Sequence, residues 1–205
     1  MIRDFISARP RLKQALLPWV RRARRVRADL YRLTDLGIFG SGNVYVRWIK
    51  KHGSLTEADR AAIEARIARM SVKPLMSVVM PVYNPEPAFL QEAIASVQSQ
   101  IWPNWELCIA DDASTDPRIP ALLAQAAAAD PRIRLIRREA NGHISAASNT
   151  ALTLAGGEWV VLLDHDDRLA PEALYEMAAA AAANPTAQVI YSDEDKIDER
   201  GRRSN

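Results

Sequence analysis

The chain carries one cysteine in 205 residues, Cys108, and that residue lies in an apolar run. A lone thiol excludes an internal disulfide framework and a zinc site built on cysteines, and it fits a reducing compartment. Long apolar stretches are also missing. None approaches the roughly 20 residues needed to cross a bilayer. Arg3, Asp4, Arg9, Arg11 and Lys13 interrupt the N-terminus where a secretory signal would hold its apolar core. No sequence repeat recurs at a fixed period. What remains, 48% hydrophobic and 25% charged residues, is the composition of a globular protein. Its length fits one full domain with an appendage, or two small ones.

The net charge of +2 hides an asymmetry. Residues 1–73 hold 17 Lys and Arg against 6 Asp and Glu, whereas residues 74–205 hold 10 against 19. Two regions with different surroundings are therefore expected: a basic helical region over 1–72 and an acidic α/β domain over 73–205. In the first, Leu12, Leu16, Trp19, Ala23, Val26, Leu30 and Leu33 recur at helical spacing, and Arg21, Arg24, Arg25 and Arg32 fall on the other side. Residues 10–33 thus read as a basic amphipathic helix, broken or begun at Pro18. The pattern suits an anionic membrane surface; a helix packed on its own protein or on a second subunit accounts for the same letters. Nucleic acid is disfavoured, because neither aromatic interleaving nor a DNA-binding motif accompanies the charge. Val44–Lys50, with Tyr45 and Trp48, reads as a short helix. Thr56-Glu57-Ala58-Asp59 has the capping-box pattern and opens a further helix to about Met70.

From Pro74 onward the pattern alternates. Strands are expected over Met76–Val82, Trp105–Ala110, Arg132–Arg137, Trp159–Leu163 and Gln188–Tyr191. Helices are expected over Ala88–Gln100, Ile119–Ala129, Ile144–Ala155 and from Pro171 to Ala183. Such alternation implies a mainly parallel sheet covered by helices, with right-handed crossovers bringing the strand ends to one edge. The unbroken apolar run Trp159–Leu163, bounded by Gly156-Gly157 and by Asp164, predicts a strand buried on both faces.

Ligands of open α/β sheets sit beyond the carboxyl ends of the strands. Here those ends read Met80-Pro81-Val82-Tyr83-Asn84, Asp111-Asp112-Ala113-Ser114-Thr115-Asp116 and Asp164-His165-Asp166-Asp167. Carboxylates crowded at a strand end repel one another, and a hard divalent cation that shares its shell with phosphate and water relieves this. The same acids also suit a plain solvated loop. The first turn, Tyr-Asn-Pro-Glu-Pro, lacks the Gly-x-Gly-x-x-Gly of a dinucleotide site. A phosphatase of the haloacid dehalogenase type would place Asp-x-Asp after its first strand, and here the motif closes the fourth.

The segments Ser77–Asn84, Asp111–Asp116, Asn141-Gly142-His143-Ile144-Ser145 with Asn149, and Gly156-Gly157-Glu158 followed by Asp164–Asp167 resemble family 2 glycosyltransferases of the GT-A fold in order and spacing over 75–192. Tyr191–Lys196 resembles a subgroup of bacterial surface-polysaccharide and O-antigen enzymes, including rhamnosyl- and galactosyltransferase-like proteins. The resemblance implies a Rossmann-like α/β sheet with helices on both faces and transfer of a sugar from a nucleotide-diphosphate donor, UDP- or dTDP-linked, to a glycan or lipid-linked acceptor. It also implies Mg2+ or Mn2+ as cofactor. Pro81, Tyr83 and Glu86 would line the nucleotide pocket, Asp112 would accept from the base, Asp164 would lie near sugar or ribose, and Asp166 would bind the metal. His143 and Asn149 would stand at the crevice wall.

Two departures accompany the resemblance. Ser148 stands where the family often has an arginine. No residue up to Asn205 aligns with the family's general base, so an acceptor half is expected to follow. Glu194 or Asp195 is a candidate substitute, Asp195 the preferred one. The expected place of work is the cytoplasm, peripherally on the inner membrane face. A non-catalytic nucleotide-sugar-binding module is the alternative reading, and a metal-dependent phosphatase ranks below it.

Overall fold

The computed structural model describes Tyr45, Ile49, residues 55–198, Arg203 and Ser204. The expected helix over 10–33 and most of Val44–Lys50 lie outside the described residues; Tyr45 and Ile49 are helical. Two compact units divide the chain, one spanning Thr56–Tyr191 and the other taking in Ser192–Asn205 with Met1–Leu55.

In the larger unit the elements run α1 (Glu57–Arg69), β1 (Met76–Val82), α2 (Pro87–Gln98), β2 (Trp105–Asp111), α3 (Arg118–Ala129), β3 (Ile133–Arg137), α4 (His143–Leu152), β4 (Trp159–Leu162) and α5 (Ala173–Ala183). The α1 start is the expected capping box: Thr56 Oγ1 accepts from the Asp59 amide, and Asp59 Oδ2 accepts from the Thr56 amide. The four strands form one sheet in the order β3-β2-β1-β4, every pair parallel. All carboxyl ends therefore share one edge.

The core follows from the pleat. β1 and β2 are buried along their whole length, seven residues each. On one face Val79, Cys108 and Ala110 pack against Ala147 and Ala151 of α4. On the other, Met76, Val78, Met80, Val82, Leu107 and Ile109 are equally buried, and α2 and α3 pack together with Leu90, Val97, Ile119 and Leu123 inside. β3 is an edge strand, and its arginines are partly or fully exposed, as their polarity demands.

Two expectations are corrected. β4 is not buried on both faces. It lies at the other sheet edge, and Val160 and Leu162 are 44% and 77% exposed. Among the described residues only β1 pairs with it, so no second neighbour or helix covers those side chains. Gln188–Tyr191 forms no strand. An extended segment becomes a strand only through a ladder partner, and Val189 and Tyr191 stand exposed without one in the sheet. Smaller shifts occur at helix ends: α4 stops at Leu152 rather than Ala155, and α5 begins at Ala173 rather than Pro171.

The smaller unit contains the antiparallel pair β5 (Lys196–Ile197) and β6 (Arg203–Ser204). No helix among the described residues is long and apolar enough to cross a membrane.

Candidate functional site

The site grows from three strand ends. β1 runs through buried Pro81 and Val82 into half-exposed Tyr83 and then Asn84, which adopts a left-handed backbone with φ 45°. Asparagine tolerates that conformation and bonds locally. Asn84 Oδ1 accepts from the amides of Thr115 (2.8 Å) and Asp116 (3.1 Å), its Nδ2 donates to Thr115 Oγ1, and its own amide donates to Ser114 Oγ. One residue thereby ties the turn after β1 to the turn after β2.

At the end of β2 the two adjacent aspartates take different tasks. Asp111 Oδ1 accepts from the Ser114 amide at 3.0 Å and closes the turn, with Arg137 Nε 3.4 Å from its other oxygen. Asp112 is 1% exposed. Its Oδ1 forms an ion pair with Arg138 Nε at 2.7 Å, and both its oxygens lie 3.0 Å from the Gly142 amide, which donates to them. Arg138 Nη1 donates to the Ala146 carbonyl and to Thr150 Oγ1 on α4. A Cβ on Gly142 would stand 2.5 Å from Arg138 Nη2 and 2.8 Å from Ala146 Cβ, so glycine leaves room for the guanidinium. His143 follows in a left-handed conformation.

At the end of β4 the Leu163 amide still donates to Val79. A tight turn follows, with the Asp167 amide donating to the Asp164 carbonyl at 3.1 Å. His165 Nδ1 lies 3.2 Å from the Pro81 carbonyl, which fixes the ring as an Nδ1–H donor and holds the turn against β1. Asp164 and Asp166 are exposed.

A cavity of about 360 Å³ opens between these ends. Pro81, Tyr83, Asp112, Asp164 and Asp166 of the expected set line it, with His143 at its wall. Val82, Asn141, Ile144, Ala147 and His165 complete the lining. Glu86 and Asn149 do not join it: Glu86 is the exposed N-cap of α2, and Asn149 lies exposed on α4. Asp195 belongs to the smaller unit, where its Oδ2 accepts from Tyr45 and from Arg203 Nε, each at 2.5 Å. Burial pushes the Asp195 pKa up, but the Arg203 and Tyr45 hydrogen bonds and the Arg203 charge outweigh it and hold the carboxyl below its ordinary value. A carboxylate so held is a weak proton acceptor. Sequence reasoning gave no role to Arg138, Asn84 or His165. The available signal for Arg138 is a basic residue just past the strand that neighbours the Asp111-Asp112 end.

The lining is of two kinds. Pro81, Val82, Tyr83, Ile144 and Ala147 supply an apolar and aromatic wall beside the buried acceptor Asp112, which suits a flat heterocycle bearing an N–H. Asp164 and Asp166 supply hard oxygens, and no cation or hydrogen-bond donor among the described residues occupies their carboxylates. The described residues contain no group of three or more His, Cys, Asp or Glu placed to hold a metal. The donor set thus fits a Mg2+ or Mn2+ ion held by one or two carboxylates and completed by phosphate and water, and it does not fit an ion caged by protein alone.

Comparison with known proteins gives a family, two relatives and one solved structure. The family model for glycosyl transferase family 2 matches residues 77–205. The chain is 44% identical over 207 residues to the Sinorhizobium fredii protein called "Uncharacterized protein y4gI", an alignment covering 99% of this chain and 22% of that one. It is 40% identical over 143 residues to the O-antigen biosynthesis protein RfbC of Myxococcus xanthus, covering 70% and 11% respectively. The chain therefore spans less than a quarter of either relative. Among solved structures, S. aureus TarS aligns with TM-score 0.49 and 28% identity, covering 54% of this chain and 20% of that one.

Proposed function

The chain belongs to glycosyl transferase family 2, and on that premise we propose that its Thr56–Tyr191 unit holds the donor of a sugar transfer, a nucleotide-diphosphate sugar. One observation carries the reading: Pro81, Tyr83, Asp112, Asp164 and Asp166 come from three separate strand ends and converge on one cavity at the carboxyl edge of a parallel sheet.

The base lies against Pro81 and Tyr83. Asp112 accepts from its imino N–H through Oδ2, which keeps a lone pair beyond the one shared with the Gly142 amide, whereas Oδ1 is taken by Arg138 and Gly142. An N–H facing a carboxylate favours uracil or thymine, hence a UDP- or dTDP-linked sugar. Asp164 stands by the ribose or sugar, and Asp166 holds the cation. When bound, that cation supplies charge stabilisation for the departing diphosphate. In the transfer, an acceptor hydroxyl of a glycan or lipid-linked glycan bonds to the anomeric carbon as the bond to the nucleoside diphosphate breaks. The hydroxyl proton goes to a base. Asp195 is a poor choice for it, given its Tyr45 and Arg203 partners. The supporting roles of Glu86 and Asn149 require contacts reaching beyond the cavity lining. On the division expected from the sequence, residues 1–72 and 73–205, the donor site belongs to the second part, and the reading gives the first a contact with the inner membrane face.

Calorimetric titration with UDP, dTDP and GDP, each with and without Mn2+, tests the reading. One pyrimidine diphosphate is expected to bind, more tightly with Mn2+, and Asp166→Ala is expected to remove the Mn2+-dependent gain. A folded chain that binds none of the three sinks the proposal.

A further inference from the structure

Segment 164–171 carries both exposed carboxylates of the site, yet it forms neither helix nor strand. Irregular backbone holds one shape only where its polar groups find fixed partners. Here α2 and the turn that follows it supply four of them. Glu92, Ser96 and Gln100 stand four residues apart, the first two on one face of α2 and the third just past its end. Glu92 pairs with the Arg168 guanidinium. Ser96 Oγ accepts from the Leu169 amide at 3.1 Å while donating its own proton to the Ala93 carbonyl. Gln100 Nε2 donates to the Ala170 carbonyl at 2.7 Å, and its Oε1 accepts from the Leu174 amide at 3.0 Å. The Ile101 amide then donates to the Pro171 carbonyl at 2.9 Å. Residues 92, 96, 100 and 101 therefore meet 168, 169, 170 and 171 in order. The other end of the segment is fixed by the amide of Leu163 on Val79 and by His165 on the Pro81 carbonyl.

We infer that Ser96 and Gln100 are positioning residues for the diphosphate and cation half of the donor site, clasping the back of the segment whose front presents Asp164 and Asp166. The inference rests on the donor-site reading. Burial decides which rungs matter. Glu92 and Arg168 are 47% and 33% exposed, and an exposed pair contributes little. Gln100 is 8% exposed, and its bond to the Leu174 amide is buried, closing on a backbone group that has no water to turn to. Base recognition depends on different elements, the ends of β1 and β2 and the start of α4, so the clasp separates one half of the site from the other.

The separation gives the test, on the full chain. Mn2+ binding in the presence of UDP is followed by electron paramagnetic resonance, and UDP binding without metal by calorimetry. Ser96→Ala and Gln100→Glu are expected to leave metal-free UDP affinity unchanged and to weaken Mn2+ binding by up to about tenfold, the low end of the cost of losing a direct partner of a metal ligand, since both act through the backbone of the segment. Glu92→Gln is expected to change neither. Ile63→Ala, which opens a cavity at a buried position of α1, a helix that makes none of the clasp's bonds, lowers stability and is expected to keep Mn2+ affinity. Amide exchange at Leu169 should quicken in Ser96→Ala, where that amide loses its acceptor, and not in Glu92→Gln. Unchanged Mn2+ affinity in folded Ser96→Ala and Gln100→Glu overturns the inference, and so does an equal loss in Ile63→Ala. A wild-type chain that ignores UDP and Mn2+ alike refutes the donor site itself and the inference with it.

Discussion

Asp111 and Asp112 are neighbours in sequence, and the pleat sends them to opposite sides. Asp111 turns into its own loop, whereas Asp112 reaches Arg138 and the Gly142 amide. The motif letters on both sides were legible: Asp112, Asn141, Gly142 and His143 stand out by type and order. The cation between them was not, because Arg138 comes beside Asp112 only through the β2–β3 register that pairs Asp111 with Arg137. Gly142→Ala tests this arrangement. The added methyl collides with the Arg138 side chain, whose far end can move, and with Ala146 Cβ on the helix, which cannot move without shifting α4. Displacing the guanidinium strips Asp112 of its ion pair and frees Thr150 Oγ1. The expected result is a loss of about 1–3 kcal/mol in urea unfolding, with UDP affinity reduced equally whether Mn2+ is present or not. A loss confined to the Mn2+-dependent part contradicts the assignment of Asp112 to the base.

Elements were read well where periodicity and neighbours agree. β1 and β2 are mostly apolar and buried along their whole length, Ser77 and Glu106 included, and both lie in the middle of the sheet. β4 has the same kind of run and lies at an edge, because its letters record local apolarity and say nothing of how many strands follow beside it. Its entry into the sheet depends on a contact no local pattern announces. Gly156 and Gly157 donate to Glu106 Oε1 (2.5 Å) and Ser77 Oγ (2.9 Å), and a Cβ on Gly157 would stand 2.4 Å from the Leu75 carbonyl oxygen. Ser77 Oγ donates in turn to Glu106 Oε1, and Arg134 Nη1 donates to Glu106 Oε2. Burial pushes the Glu106 carboxyl up, but the Gly156 amide, Ser77 and Arg134 outweigh it and hold the pKa below the ordinary value. A carboxyl lowered on folding stabilises fully above its unfolded pKa, and that contribution disappears as the pH falls through the folded pKa. Glu106→Gln keeps an acceptor for Ser77 and Gly156 but turns an N–H toward Arg134. It is expected to cost about 1–3 kcal/mol at neutral pH, the range for an unmatched buried polar group. The difference from wild type should shrink as acid titrates Glu106, so the variant's stability falls less steeply below the ordinary carboxylate range. Parallel stability–pH curves for the two proteins count against the Glu106 clasp.

At the scale of the whole chain, charge divides the sequence in two. Residues 1–73 carry a surplus of 11 positive charges and residues 74–205 a surplus of 9 negative ones. The acidic part has its use in the site, where Asp112, Asp164 and Asp166 line the cavity. In the basic part, the arginines over 10–33 alternate with a leucine-rich stripe rather than with aromatic residues. Near an anionic surface each Lys or Arg contributes about 1 kcal/mol, so a few engaged arginines are enough to hold the chain on a membrane, and the apolar stripe adds to that. A membrane contact of this kind suits the lipid-linked acceptor proposed above. Flotation with vesicles containing anionic lipid is expected to carry the full chain upward. Deleting residues 1–35 should leave it in the bottom fraction, as should neutral vesicles, and raising the salt should weaken the binding because a surface attraction is screened beyond about 8 Å at physiological ionic strength. If the deletion floats as well as the full chain, the basic segment serves another partner, a second subunit or the rest of its own protein, and the membrane contact is refuted.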